Sequence, residues 1–600
     1  MKKYILTTLI IFIIHFATAQ KNLVTTEITP QELQTHIKFL ASDELKGRRA
    51  GEEGNKIAAE YIANEFQKYG LLPAGDNGSY FQNFSFISER KITNNNKLSI
   101  TLNGETINYT LNEQFKPLTI TTDTSLTTSL VFVGYGISAS DSLQYDDYNG
   151  INVKDKIVIA MRYSPDTSNS SRFDKYTSIT AKLFAARDKG AAGIIFVSSP
   201  PGTSGDKFLT FDDPRFGGTN IAVLTVKWDY ISQLMNRVGK DLMGIKKQID
   251  STRKPNSFEI PNAVVTIQTE IEKIKSYSMN VVGFIPGTDS LLKQEYLIIG
   301  AHFDHLGMGG EGSGSLQPDT IAPHHGADDN ASGTAGLLEV AQYFSAHRDK
   351  LKRSLLFISF SGEELGLLGS DYYVKHPSVS LDKSITMINM DMIGRMKDSI
   401  LVVEGMGTSP KFEEIVKRNN ADSLILRLKP DGFGPSDHAS FYMKDMPVIF
   451  FFTNLHSDYH KPSDTWDKIN YNGEKTVLNL VTRIINELAS ENERPLFTKT
   501  AAPPSMGGDR QGAKVSLGVI PDFSSDVAGM KISGTRPGSA AEKAGLKGED
   551  IIIKFGGKDV KNIYDFTYLL GQFKPGDEVE IVVKRGSEEI LLKALLEAKR

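Results

Sequence analysis

Several segments between residues 296 and 466 end in side chains that can hold a metal ion or move a proton. YLIIGAHFDHLG ends in His302 and Asp304, and GADDNASG carries Asp328. SGEELGLLGS carries Glu363 and Glu364, NMDMIG carries Asp391, and PVIFFF at 447–452 precedes His456 and His460. Histidine with aspartate and glutamate, in a chain without cysteine, suits divalent metals of hard-to-borderline character, with zinc foremost. Two metals sharing one carboxylate need about three protein ligands each, with a position left for water. His302, Asp328, Glu364, Asp391 and His460 meet that count. Glu363 and Glu364 are adjacent on a turn, so one can face metal and the other the water, where a general base belongs. The positive end of a following helix would favour one such glutamate but does not account for the set. Asp304 lies two residues beyond His302, on the same side of an extended chain, and can hold the other ring nitrogen of that histidine.

These residues must be brought together by the elements that precede them. Three of the segments begin as short runs of Ile, Leu and Phe, the pattern of strands buried on both faces. In an open α/β sheet, ligands collect beyond the carboxyl ends of such strands. The spacing therefore predicts an α/β fold, a mixed and mostly parallel sheet flanked by helices. TPQELQTHIKFLASDEL reads as one helix, with Thr29 as cap, Pro30 in the first turn and Leu33, Ile37 and Leu40 at helical spacing. Residues 55–69 read as a second helix and residues 476–488 as a closing one, while KGRRAGEEG (46–54) reads as a solvated loop.

The chain's 600 residues exceed one hydrophobic core, so three or four domains are expected. A net charge of -4 argues against nucleic acid as the main partner. The lack of cysteine excludes disulfides, thiol nucleophiles and an acylated N-terminal cysteine. Met1-Lys2-Lys3, the apolar residues 4–16 and Ala17-Thr18-Ala19 follow the order of a secretory signal. Residues 1–19 are therefore expected to be removed and the protein exported, to the periplasm or the medium. No later run is long enough to span a bilayer. Residues 114–268 change texture to short β-like runs with one amphipathic helix at 176–189, as an inserted β-rich domain would. Residues 495–512 hold Pro503-Pro504 and Gly507-Gly508 and read as a linker.

AHFDHLG, GADDNASG, SGEELGLLGS, NMDMIG and YHKPSDTW resemble, in order and character, the M28 family of co-catalytic zinc metallopeptidases. The resemblance implies a zinc exopeptidase fold over residues 20–113 and 269–494 and two zinc ions per chain. It implies Asp328 as the bridging carboxylate, His302 and Asp391 completing one zinc, Glu364 and His460 the other, and Glu363 as general base. It also implies a strained peptide, of cis form, between Asp328 and Asp329. Asn330 or Ser332 can cap the helix that follows. Ser436-Asp437-His438 resembles the family's SDH segment, making His438 a supporting or oxyanion donor. Phe433 stands where some family aminopeptidases carry tyrosine. His324-His325 read as a surface loop, and His456 as a rival to His460. The activity implied is that of an exopeptidase, foremost an aminopeptidase, acting on peptide or protein substrates. A carboxypeptidase, a glutaminyl cyclase-like relative and an inactive peptide-binding adaptor remain as alternatives.

VGYGI, DDYNGINVKDKIVIAMR and AARDKGAAGIIFV within the insert resemble the protease-associated domain of secreted peptidases. SLGVIPDF with PGSAAEKAGLKGEDII resembles a bacterial PDZ domain covering residues 513–600. By that analogy, Leu517, Gly518, Val519 and Ile520 would receive the C-terminus of a peptide.

Overall fold

The computed structural model describes residues 27–139, 143–166, 172–173, 176–200, 207–209, 219–500, 515–522, 527–535, 538–561 and 563–598. The signal-like residues 1–19 and linker residues 501–512 lie outside them. The chain forms two compact units, one from residues 1–85 and 277–501, the other from 86–276 and 502–600.

A nine-stranded sheet forms the centre of the first unit. Its strands β1 (Ile271–Ile285), β2 (Tyr296–His302), β3 (Ser354–Phe360), β4 (Ser384–Met390), β5 (Ile400–Glu404), β6 (Ile425–Leu428) and β7 (Val448–Phe452) lie in the order β1-β3-β2-β4-β7-β5-β6. The strands β3-β2-β4-β7 run parallel, and β1 and β5 pair antiparallel at either side of them. Strands β3 and β4 are buried at every position, as expected for continuous apolar runs covered on both faces. Four helices pack on the sheet: α1 (Pro30–Leu40), α2 (Glu53–Lys68), α3 (Gly333–Ala346) and α4 (Tyr471–Ser490). Thr29 caps α1, its hydroxyl accepting the Glu32 amide at 3.2 Å, and Leu33, Ile37 and Leu40 are buried beneath it. Because β2, β3, β4 and β7 are adjacent and parallel, the residues following His302, Phe360, Met390 and Phe452 all emerge on one rim.

The second unit corrects two expectations. Its eight-stranded sheet includes Lys97–Leu102 and Glu105–Tyr109, which pair in antiparallel register next to Ser257–Thr269, so the insert begins well before residue 114. It is also α/β rather than β-rich. Thr124–Val133, Ile157–Met161, Gly193–Val197 and Ala222–Val226 are parallel neighbours. Besides Ile179–Asp188, the helices Trp228–Arg237 and Leu242–Thr252 pack on them. In the same unit a small antiparallel sheet runs from Val519–Pro521 to Glu588–Leu595, with the helix Ile563–Leu570. That helix touches Ile179–Asp188 through the ion pair Arg187–Asp565 at 2.6 Å and the rings of Phe184 and Tyr568, 4.8 Å between centroids. Residues 495–500 are not linker. Thr500 is buried, and its amide donates to the Tyr442 hydroxyl at 2.9 Å in the first unit.

Arg353 shows how the first unit is tied at its edge. Its guanidinium is fully buried, pairs with Glu295 at 2.7 Å and donates to the carbonyls of Leu488, Glu491 and Asn492 at the end of α4. Replacing it leaves those partly buried acceptors without their donor. Arg353→Met should therefore lower unfolding free energy by about 3 kcal/mol, read as a fall in urea midpoint at unchanged m-value.

Candidate metal centre

The rim collects two sets of donors around one carboxylate. His302 ends β2, and its Nε2 stands 3.3 Å from Asp391 Oδ1, which directly follows β4, and 3.5 Å from Asp329 Oδ1. The other oxygen of the same aspartate, Asp329 Oδ2, is 3.2 Å from His460 Nε2, which is itself 3.3 Å from Glu364 Oε2. Donors ~2.0–2.1 Å from a common ion at tetrahedral angles stand ~3.3 Å apart, so both sets have the spacing of metal ligands. Asp391 Oδ1 is moreover buried with no hydrogen-bond partner, an acceptor left for a cation. The donor set, imidazole and carboxylate without thiol, fits zinc.

Asp329 therefore stands where Asp328 was expected. The Asp328 carboxylate is turned away from this centre. Its Oδ1 accepts the Gly394 amide at 2.7 Å and the Ser332 hydroxyl at 3.1 Å, and its Oδ2 faces His456 Nε2 at 3.2 Å. The cis peptide is likewise one residue on, between Asp329 and Asn330. The reason lies in the turn Ala327–Ser332. Asp329 and Asn330 leave helical geometry, with φ,ψ of -105,95 and -127,48, and this sends the side chain of Asp329 towards the rim. Asn330 then caps α3, its Oδ1 accepting the Gly333 amide at 2.8 Å, while Ser332 makes no cap bond. Asp464, in the SDTW stretch, fixes the turn from outside: its Oδ2 accepts the amides of both Asp328 (2.9 Å) and Asp329 (3.1 Å).

Each histidine is held by its second nitrogen. His302 Nδ1 lies 3.3 Å from the Asp304 carbonyl and 3.7 Å from its carboxylate, so the backbone oxygen is the nearer acceptor. Asp304 Oδ1 instead accepts the Glu363 amide at 3.1 Å, fixing the start of the glutamate turn. His460 Nδ1 donates to the Gly314 carbonyl at 3.0 Å, and its ring stacks on Tyr459.

Glu363 lies beside the first donor set, its Oε2 4.0 Å from His302 Nε2. Burial pushes its carboxyl well above the usual range, opposed by His302 and reinforced by Glu364 and Asp391. For His460, burial works against the charged form, but Asp329 and Glu364 outweigh it and push the ring up to about 11. Such imidazole–carboxylate pairing is what excess buried negative charge produces before a cation is bound.

His438 does not reach this cluster. It is wholly buried and stacked on Phe450 at 4.3 Å, with neither ring nitrogen hydrogen-bonded, and burial lowers it to about 3, so it is a neutral packing ring. His324 and His325 are not a surface loop. His324 is buried with Nε2 2.7 Å from the Ser315 hydroxyl, and His325 bridges the Pro462 carbonyl and Asp43. The stretch read as a solvated loop holds Arg48, which is fully buried and donates to the carbonyls of Leu40, Phe303, His325 and Gly326. It thereby ties the end of β2 to the segment leading into Asp329. The apolar spacing around it gave no sign of this. His305, unremarked in AHFDHLG, lies at the centre as well: donor atoms of His305, Asp329 and Glu364 fall within 4.8 Å of one another, as do those of His302, Asp329 and Asp391.

In the small sheet, Val519–Pro521 is the terminal strand, paired to Met530–Thr535 on one side. Before it, Leu517 is buried with its carbonyl accepting the Ala541 amide, and Gly518 takes φ +81, a conformation that favours glycine.

Residues 280–485 match the model of peptidase family M28, and residues 509–596 that of the PDZ domain. The chain is 28% identical to Aminopeptidase YwaD of Bacillus subtilis over 280 residues, 44% of this chain and 55% of that protein. It is 29% identical to Leupeptin-inactivating enzyme 1 of Streptomyces exfoliatus over 220 residues, 36% of this chain and 44% of that protein. The chain thus spans about half the length of these curated relatives. Among solved structures, an aminopeptidase from Aneurinibacillus sp. strain AM-1 aligns at 22% identity and a TM-score of 0.46, covering 80% of this chain and 98% of that one.

The assignment of the bridging position separates two neighbouring variants. Asp329→Asn should lower zinc affinity by more than the ~10–100-fold typical of outer residues. Asp328→Asn should keep the zinc content of the wild type, both read by metal analysis after dialysis at fixed free zinc.

Proposed function

We propose that this chain is an exported zinc-dependent exopeptidase, an aminopeptidase that releases N-terminal residues from peptides. One observation carries the reading: the two oxygens of Asp329 are shared between a His302–Asp391 set and a His460–Glu364 set. Two zinc ions held there would supply Lewis acidity to a peptide carbonyl and to a water molecule.

The remaining steps fall to the chain's own residues. Glu363 lies next to the donor sets without belonging to either, where a general base belongs. It takes a proton from the attacking water and delivers it to the leaving amine as the C–N bond breaks. The Asp304 bond to the Glu363 amide keeps that carboxylate at the rim.

The complete second donor set favours a two-metal peptidase over a one-zinc cyclase-like enzyme. The intact donor sets and base likewise disfavour an inactive adaptor. Export rests on the leader-like residues 1–19. No helix of the described residues is long and apolar enough to cross a membrane. The outer edge of Val519–Pro521, with the preceding Leu517-Gly518, has the form of a site that adds a peptide strand and captures its carboxylate.

Two measurements test the reading. Glu363→Gln should keep two zinc ions and its KM while kcat falls by about 10²–10⁴; near-wild-type turnover would sink the mechanism. The wild-type enzyme should cleave free peptides and lose activity on their N-acetylated forms, whereas equal cleavage of both would remove the aminopeptidase assignment.

A further inference from the structure

His305 is wholly buried beside the His460-side donors and shares two of them, Asp329 and Glu364, within 4.8 Å. Its Nδ1 is 2.6 Å from Glu364 Oε1 and 3.9 Å from Asp329 Oδ2. Two atoms 2.6 Å apart leave no room for a shared ion, since ligands of one zinc stand ~3.3 Å apart. The contact is a hydrogen bond, and because a carboxylate only accepts, Nδ1–H is its donor. The other oxygen, Oε2, faces His460 Nε2 at 3.3 Å. The two oxygens of Glu364 are thus assigned to different partners.

The ring has little freedom to leave this position. Its backbone amide donates to the Arg48 carbonyl at 3.3 Å. A Cβ built on Gly326 would meet its Cδ2 at 2.6 Å, so the glycine backbone lies flat against the imidazole. Arg48 also anchors Gly326 through its carbonyl at 3.0 Å.

We propose that His305 is a positioning residue that engages Glu364 Oε1 and so restricts Glu364 to one-oxygen coordination through Oε2. A carboxylate free to chelate would take two positions around the His460-side metal. Held at one oxygen, it leaves a position vacant for water or a substrate carbonyl, as a catalytic metal requires. The inference rests on the two-metal reading above and concerns only the His460 side.

The test is a zinc titration of the full chain with a chromophoric competitor, comparing wild type, His305→Ala and His305→Asn. Asparagine can offer an N–H close to the place of Nδ1. His305→Ala should weaken one of the two zinc affinities by about 10–100-fold and leave the other unchanged. His305→Asn should restore most of that loss. With cobalt in place of zinc, the visible spectrum of His305→Ala should lose intensity at the affected site as coordination number rises. Unchanged affinities and spectra in His305→Ala would overturn the proposal. So would equal weakening of both sites with no rescue by asparagine, since that marks a packing defect. Wild-type protein that binds two zinc ions but cleaves no peptide would sink the peptidase reading alone, because the titration scores His305 independently.

Discussion

The constraint on which this structure depends is the concentration of negative charge at the rim of the sheet. Asp329, Asp391, Glu363 and Glu364 converge on His302, His305 and His460 in a largely buried cluster. Two unit charges 4 Å apart at an effective dielectric of 20 interact by about 4 kcal/mol, so several carboxylates at such spacing repel strongly. Protonated histidine offsets part of this, and two divalent cations would offset it fully. A cation bound there would relieve this repulsion as well as serve the chemistry proposed above.

Such a cluster has to be held by groups that orient without neutralising. Backbone dipoles and neutral hydrogen bonds do most of that here. Asp464 spends its Oδ2 on two amides and thereby sets the direction of the Asp329 chain. Asn330 links α3 to the Met390 carbonyl at 3.0 Å, coupling the Asp329 turn to the strand that ends in Asp391. Arg48 is a fully buried cation in this scaffold, and its donors go to carbonyls. Burial lowers it to about 10 while Asp304, Asp329, Asp464 and Glu364 pull the other way, so it remains charged at neutral pH and adds a long-range positive field.

What could be read in the chain follows from how local each signal is. The four central strands were legible because each is a short apolar run that stops at a polar residue, and strand order brings those stops together. His302 and Asp391 sit at such stops, Glu364 and His460 lie in the segments beyond them, and the structure gathers the four on the rim. Asp328 and Asp329 are chemically identical neighbours; which one faces the rim is decided by the backbone angles of Asp329 and Asn330, which no pattern of residue types reveals. Arg48 looked solvated because its acceptors are carbonyls up to 278 residues away. The helices Trp228–Arg237 and Leu242–Thr252 follow the fully buried strand Ala222–Val226, whose apolar run is the stronger local signal.

The adjacent glutamates show how a one-residue step separates two roles. The helix after β3 begins only at Leu368, so Glu363 and Glu364 do not lie in its first turn and its dipole does not place them. They occupy a turn closed by the amides of Gly366 and Leu367 on the Glu363 carbonyl. Asp304 holds the entry to that turn by the Glu363 amide, and His305, the next residue in the chain, holds the Glu364 carboxylate. The short stretch after β2 thus grips the stretch after β3 at two consecutive points, one on backbone and one on side chain. With the backbone fixed at Glu363, its own carboxylate stays clear of either donor set, while its neighbour is drawn towards His460. The division of labour proposed for base and ligand would thus follow from two hydrogen bonds from HFDH, a more local cause than any difference between the glutamates themselves.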